Sequence, residues 1–187
     1  MPDQDFLIAL GGNMPLNSQP PEKAINQAVE RLTRAGATSI ELSPLYRTPA
    51  FPPGNGPDFV NAAAAVRLFE TPNGVLDLLH EIESEMGRIR SVRWGERTID
   101  LDLIAAGARV LPNEKTQEFW RSLRPEQQLE RMPDQLILPH PRLQDRAFVL
   151  RPLCDIAPEW RHPTLDRTVR QMLFDLPEAD LAAIRPL

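Results

Sequence analysis

The 187-residue chain has 42% apolar and 25% charged residues, ordinary values that allow one substantial core and exclude collagenous, wholly disordered and membrane-spanning architectures. Its formal charge of −5 argues against a broad nucleic-acid or anionic-membrane surface, and the single cysteine, Cys154, points to a reducing, cytoplasmic setting without an intrachain disulfide. Only Lys23 and Lys115 among the 21 basic residues are lysines, so any phosphate site must be built from guanidinium groups.

Phe6 to Leu10 is a short apolar run ending at Gly11-Gly12-Asn13, the pattern of a buried strand entering a turn. After Pro20-Pro21, the residues Ile25, Ala28, Val29 and Leu32 recur at helical spacing and stop at Gly36, which predicts an amphipathic helix. Thr38 to Thr48 predicts a second strand interrupted at Pro44. Pro49 to Asp58 holds four prolines and two glycines without periodicity and reads as a long loop, a kind of segment that often carries function.

Phe59 to Leu68 predicts a third strand whose small residues let a helix pack close. Thr71-Pro72 starts a second helix, with Val75, Leu76, Leu79, Ile82 and Met86 as the buried stripe and Gly87 as its stop. Thr98 to Ala105 alternates strictly, which sets Ile99, Leu101 and Leu103 on one face of a strand and Asp100 and Asp102 on the other. The polar stretch from about 112 to 135 reads as an insertion or lid within a single domain, with a helix around Thr116 to Met132 broken near Pro125. Leu136 to Leu143 reads as extended, Asp145 to Pro158 as a helix interrupted near Pro152, and the chain from Thr164 as one more helix. This order predicts an α+β ferredoxin-like sandwich, a central antiparallel sheet with helices packed on it.

Chemistry concentrates between Gly87 and Ile104. Arg88, Arg90, Arg93 and Arg97 lead directly into two carboxylates that strand geometry places about 6–7 Å apart on one face. Two acids are the share of ligands that Mg²⁺ commonly takes from a protein when phosphates and water supply the rest. Paired metals recur in phosphate chemistry, and arginine forks neutralise phosphate oxygens. The pattern points to a metal–nucleotide site, against a plainer reading in which the aspartates form a solvated face and the arginines pair with Glu81, Glu83, Glu85 and Glu96.

Other chemistries find less support. No G-x-x-x-x-G-K-[ST] or G-x-G-x-x-G motif occurs, and His80, His140 and His162 lack zinc-ligand spacing with Cys154, which itself reads as core. Trp94 is either a core plug or a lid over a bound ring. His140, between Pro139 and Pro141, makes either a structural hydrogen bond or a phosphate contact, and Arg146 alone reads as a salt-bridge partner at a helix start. Asn61, an amide on an apolar strand, needs partners that a planar heterocycle could supply.

RWGERTIDLDLI (Arg93 to Ile104), IALGGN (Ile8 to Asn13), YRTPAF (Tyr46 to Phe51), PDFVNAA (Pro57 to Ala63), Ile82-Glu83 with GRIR (Gly87 to Arg90), and LPHPRLQDRAFVLRPL (Leu138 to Leu153) together resemble the 6-hydroxymethyl-7,8-dihydropterin pyrophosphokinase family of folate biosynthesis. The resemblance spans the chain except Pro112 to Gln135. It implies a ferredoxin-like monomer that transfers the β,γ-pyrophosphoryl group of ATP to the pterin hydroxymethyl and releases AMP. By the same resemblance Asp100 and Asp102 would hold two Mg²⁺ bridging the triphosphate, with Asp100 near the attacking hydroxyl. Arg88 and Arg97 would stabilise the transferring phosphates, with Arg90 and Arg93 beside them, and His140 and Arg146 would contact the triphosphate from the other side. His80, Glu83 and Leu103 would line the nucleotide pocket. For the pterin, Phe59 and Phe148 would sandwich the ring, Asn61 would read its amide edge, Thr48, Pro49 and Phe51 would close the pocket, and Trp94 would shut over the site.

The chain departs from the family pattern at Glu96 (usually proline), His80 (commonly glutamine), Gln135 (near a usual basic residue) and Pro141, which replaces a bonding side chain. Arg121, Arg124 or Arg131 in the insertion are candidates for the missing charge. The competing readings are a non-catalytic nucleotide-sensing module of the same fold and a Mg²⁺-dependent phosphotransferase acting on another substrate.

Overall fold

The computed structural model describes residues 4–50, 56–87 and 97–187. In chain order they form β1 (Gln4–Gly12), α1 (Pro21–Arg34), β2 (Ser39–Leu42), β3 (Tyr46–Thr48), β4 (Phe59–Leu68), α2 (Pro72–Glu85), β5 (Asp100–Ala106), α3 (Glu114–Arg121) and α4 (Pro125–Glu130). A 3-10 turn (Leu143–Asp145), α5 (Ala147–Ile156), β6 (Arg161–His162), β7 (Arg167–Thr168), α6 (Val169–Phe174), α7 (Glu178–Ala182) and β8 (Arg185–Pro186) follow.

The main sheet runs β5-β1-β4-β3-β8, with β2 also on β4, and every pairing is antiparallel. β2 and β3 are successive lengths of one strand, interrupted at Pro44 as the sequence predicts, because proline offers no N–H to a ladder. Ser43 repairs the gap: its N–H donates to the Ala63 carbonyl at 2.9 Å, and its hydroxyl accepts from the Ala63 N–H at 3.0 Å. With β2 and β3 counted as one, the four principal strands lie in the order fourth, first, third, second, which is the ferredoxin-like arrangement.

Alternation along the strands divides the core in two. Phe6, Ile8, Leu10, Val60, Ala62, Ala64, Leu101 and Leu103 pack under α1 and α2, against Ile25, Ala28, Leu32, Val75, Leu79 and Ile82. Leu7, Ala9, Ala63, Ile104 and Ala105 face the other way and pack under α5 and α6, against Val149, Leu150, Leu153, Val169 and Met172. The small side chains of β4 give α5 its close seat. α2 starts where the sequence predicts, with Thr71 Oγ1 accepting from the Gly74 N–H at 3.0 Å, a cap that stabilises a helix by about 1 kcal/mol. Gly87, at φ 76°, follows its end.

Several predicted elements differ. Pro152 lies inside a continuous α5 rather than interrupting it. The tail forms two short helices and then β8, which adds to the sheet beside β3. Leu136 to Leu143 makes only an isolated bridge, Leu138 to Leu111, before turning. The predicted break near Pro125 separates α3 from α4. Asn113 caps α3, its Oδ1 accepting from the Thr116 N–H at 2.9 Å. No helix among the described residues is long and apolar enough to cross a membrane.

Candidate active site

β5 is an edge strand, and its alternation turns Leu101 and Leu103 into the core beneath α2 while Asp100 and Asp102 take the face shared with α5. Each carboxylate has a guanidinium partner. Arg97 Nη1 pairs with Asp100 Oδ2, and Arg146 Nη1 lies 3.5 Å from Asp102 Oδ2. Both aspartates remain open enough to meet a ligand, their side chains being 23% and 39% exposed. Among the described residues no three His, Cys, Asp or Glu converge on one point. A cation here would therefore take two carboxylates from the protein and its other ligands from phosphate and water, which suits Mg²⁺.

Two loops are fastened around this strand. Asn13, almost wholly buried, accepts from the Arg97 N–H with Oδ1 at 2.9 Å and donates from Nδ2 to the Pro57 carbonyl at 3.1 Å. The N–H groups of Asn13 and Met14 both donate to the Arg97 carbonyl, at 2.9 and 3.1 Å. One amide thus ties the approach to β5 to the approach to β4.

The third wall comes from the segment before α5. The His140 N–H donates to the Ile104 carbonyl at 2.8 Å, and His140 Nδ1 accepts from the Arg142 N–H at 3.2 Å. With Nδ1 accepting, the neutral ring carries its hydrogen on Nε2. Burial pushes the His140 pKa well below its ordinary value; Arg146 and Arg142 push the same way, and Asp100 opposes them. Behind the loop, the fully buried Gln117 of α3 donates from Nε2 to the Pro139 carbonyl at 3.2 Å. The insertion therefore braces the histidine loop.

Farther along the same sheet face the chemistry is neutral. Asn61 Nδ2 donates to Thr48 Oγ1 at 2.7 Å, a buried cross-strand bond from β4 to β3. Asn61 lies in register with Gly11, where a Cβ would stand 2.6 Å from Asn61 Oδ1. Only glycine leaves room for the amide. Phe59 lies two residues before Asn61 on the same face, and Phe148 approaches on α5, its ring 5.6 Å from the Arg146 guanidinium carbon. Beside exposed Pro49 and buried Thr48, a cleft of about 340 Å³ is lined also by Arg47, Asp58, Ala183 and Arg185.

The geometry thus gathers Arg97, Asp100, Asp102 and Arg146 as a charged group beside the neutral His140, with Thr48, Pro49, Phe59, Asn61 and Phe148 on the sheet face and α5 beside it. Leu103 needs correction: its side chain is buried under α2, on the face away from the aspartates, so a nucleotide would meet only its backbone. Glu83 is buried, and its Oε1 accepts from the Leu101 N–H at 2.7 Å. It therefore completes the hydrogen bonding of the edge strand from below, with exposed His80 one turn earlier on α2. Phe51, Arg88, Arg90, Arg93, Trp94 and Glu96 lie outside the described residues.

Arg121 stands near His162, whose pKa it helps burial to lower to about 4. His162 is fully buried, its Nδ1 accepting from the Thr164 and Leu165 N–H groups at 3.3 Å each, as befits a core histidine. Burial raises the Cys154 thiol pKa, which keeps it protonated. Sequence reasoning assigned no role to Gly11, Asn13 or Gln117. The Gly-Gly-Asn turn was a visible signal for the first two, whereas nothing in a polar insertion marks Gln117 as buried.

The chain is similar to known proteins in sequence and in fold. The family model for 7,8-dihydro-6-hydroxymethylpterin-pyrophosphokinase (HPPK) matches residues 7–158. A Synechocystis protein named 2-amino-4-hydroxy-6-hydroxymethyldihydropteridine pyrophosphokinase is 34% identical over 97% of this chain and 79% of its own length. A Pseudomonas aeruginosa protein of the same name is 37% identical over 86% of this chain and 85% of its own. Among solved structures, Plasmodium falciparum HPPK-DHPS wild type superposes with a TM-score of 0.61 and 18% identity over 92% of this chain, a likeness of fold. The chain spans 44% of that longer protein.

Proposed function

The chain belongs to the 7,8-dihydro-6-hydroxymethylpterin-pyrophosphokinase family, and from that premise we propose how its residues divide the work of the reaction. The enzyme is an ATP-dependent pyrophosphokinase of folate biosynthesis that moves a pyrophosphoryl group from ATP to hydroxymethyldihydropterin. The hydroxymethyl oxygen bonds to the β-phosphorus as the bridge between the α- and β-phosphates breaks, and AMP leaves with the electron pair.

The observation that carries the assignment of roles is the placement of Asp100 and Asp102 on one face of an edge strand, each already paired with an arginine. Asp100 and Asp102 would hold two Mg²⁺, with phosphate oxygens and water completing the ligands. Bound there, Mg²⁺ supplies neutralisation of phosphate charge and polarises the phosphorus–oxygen bonds. Arg97 and Arg146 stand beside these carboxylates and would offer forked guanidinium groups to the phosphates, stabilising the charge that builds as the bond breaks. His140 donates from Nε2 as a neutral group. Arg88, Arg90 and Arg93 add positive charge from the segment before β5. His80, Glu83 and the backbone at Leu103 border the nucleotide.

The pterin lies on the neutral part of the same face. Phe59 and Phe148 stack its ring, Asn61 reads its amide edge while Thr48 fixes the orientation of the Asn61 amide, and Pro49, Phe51 and Trp94 enclose it. This placement aims the hydroxymethyl group at the triphosphate, and positioning with electrostatics is most of what such a transfer requires.

The working unit we propose is the monomer that the family resemblance implies, a single domain with 112–135 as an insertion. Its one cysteine fits a cytoplasmic setting. The test is an assay with ATP, Mg²⁺ and 6-hydroxymethyl-7,8-dihydropterin in which AMP and the pterin diphosphate are quantified. Asp100→Ala and Asp102→Ala should each lose most turnover with the circular dichroism spectrum unchanged. Full activity in either variant would refute the metal assignment.

A further inference from the structure

Tyr46, the only tyrosine of the chain, is buried on β3 and donates its hydroxyl to Asp155 Oδ2 on α5 at 2.6 Å. Arg151 completes a small network: its Nη2 lies 3.0 Å from Asp155 Oδ1, and its guanidinium carbon lies 5.3 Å from the Tyr46 ring centre. Nothing in the phosphate chemistry uses these groups. Their position is nonetheless specific to the pterin face. Tyr46 is in register with Asn61, and Thr48, two residues on, accepts the Asn61 amide. Asp155 follows Phe148 by seven residues, two helical turns, and so projects from the same side of α5.

We propose that the Tyr46–Asp155 bond is a positioning device for the pterin, fixing the rotation of α5 so that Phe148 stands at stacking distance over the face that carries Asn61. This rests on the assignment of Phe148 and Asn61 to the pterin. Side-chain contacts at both ends of α5 reach the sheet. Arg146, the residue before its first turn, is held to Asp102 at 3.5 Å, and that attachment would be given up if Asp102 took a metal as proposed. The Tyr46 attachment involves no group of the phosphate site, so it persists through the reaction. A hydroxyl donating to a carboxylate is a strong, directional bond. Burial and the Asp155 contact raise the phenol pKa, so the donor keeps its proton across the physiological range.

The test titrates 6-hydroxymethyl-7,8-dihydropterin into full-length protein saturated with Mg²⁺ and a non-hydrolysable ATP analogue, with analogue affinity measured separately. Tyr46→Phe and Asp155→Ala are each expected to weaken pterin binding about tenfold, the double variant no more than either single one, and analogue affinity to stay within about twofold. Asp155→Asn, which keeps an acceptor for Tyr46 but loses the charge facing Arg151, is expected to restore most of the pterin affinity. Unchanged pterin affinity in Tyr46→Phe, or equal loss of pterin and analogue affinity, overturns the inference whatever happens to the melting temperature. Phe148→Ala tests the underlying assignment. If it weakens pterin binding while Tyr46→Phe does not, only the positioning role falls; if it leaves pterin binding intact, the assignment fails and takes the inference with it.

Discussion

Around Asn61 the protein uses a neutral hydrogen bond buried between adjacent strands, whereas around Asp100 and Asp102 it uses ion pairs to arginines on separate segments. In the first region the Asn61 amide is already oriented by Thr48, as the proposed pterin site requires. The second holds its own counter-ions, and under the proposed assignment it would exchange them, carboxylate for metal and guanidinium for phosphate. Partly exposed pairs of this kind contribute little to stability, so they can be given up at small cost. The contrast teaches that preorganisation is spent on the ring and adaptability on the phosphates.

The sharpest way to break the contrast is to disable the charged half alone. Asp102→Asn is expected to lower kcat by about 10²–10³ while the pterin KM stays within threefold of the unaltered enzyme, and steady-state kinetics will show the split. The converse is Asn61→Ala, which leaves the buried Thr48 hydroxyl without its donor. It also removes the amide proposed to read the pterin edge, a hydrogen-bond loss of about 1–3 kcal/mol, so the pterin KM should rise about 10–100-fold with kcat nearly preserved. If kcat fell instead, Asn61 would be acting on the transferring group and the division would be wrong.

Acid probes the support of the charged half. His140 lies in that half and His162 behind it, joined through the Thr164 hydroxyl on Gln117 Oε1 at 3.3 Å. His162 has its pKa lowered to about 4, so the unfolded chain takes up this proton before the native one does. Its stabilising contribution is complete above about pH 6.5 and is lost as pH falls towards 4, about 2 kcal/mol after screening. Urea unfolding at pH 7, 5.5 and 4.5 should show the decline, and its persistence with the same slope in His162→Gln would assign it elsewhere. The smallest effect expected is from salt. Raising ionic strength from about 0.05 to 0.5 M should increase the ATP KM several-fold and leave the pterin KM nearly flat.

The legible parts of the fold were those with a period. β1, β4 and β5 and helices α1 and α2 follow from apolar spacing, and strict alternation at 99–103 placed both aspartates on one face before any contact was known. Two-residue strands such as β6, β7 and β8 have no period to read, so they were missed. Pro152 was misread because a proline that omits one bond can stay in a helix whose neighbouring turns are packed on both sides. For the site, residue type and proximity along the chain pointed to Arg97, Asp100 and Asp102. The pairing of Asp102 with Arg146, 44 positions away, depends on how α5 docks on the sheet, which no local pattern encodes. Leu103 is the opposite case, because the alternation that sets the aspartates on one face already sets its side chain on the other, in the core.

Gly11 has no side chain to offer a substrate, yet a single added carbon there would stand 2.6 Å from Asn61 Oδ1. Exposed Arg47, by contrast, carries a full charge at the mouth of the neighbouring cleft and has open space for other side chains. Mutational tolerance across this enzyme should therefore follow crowding rather than chemical character. In a saturation library selected for folate prototrophy, the position with nothing to offer would be among the first to lose all its substitutes.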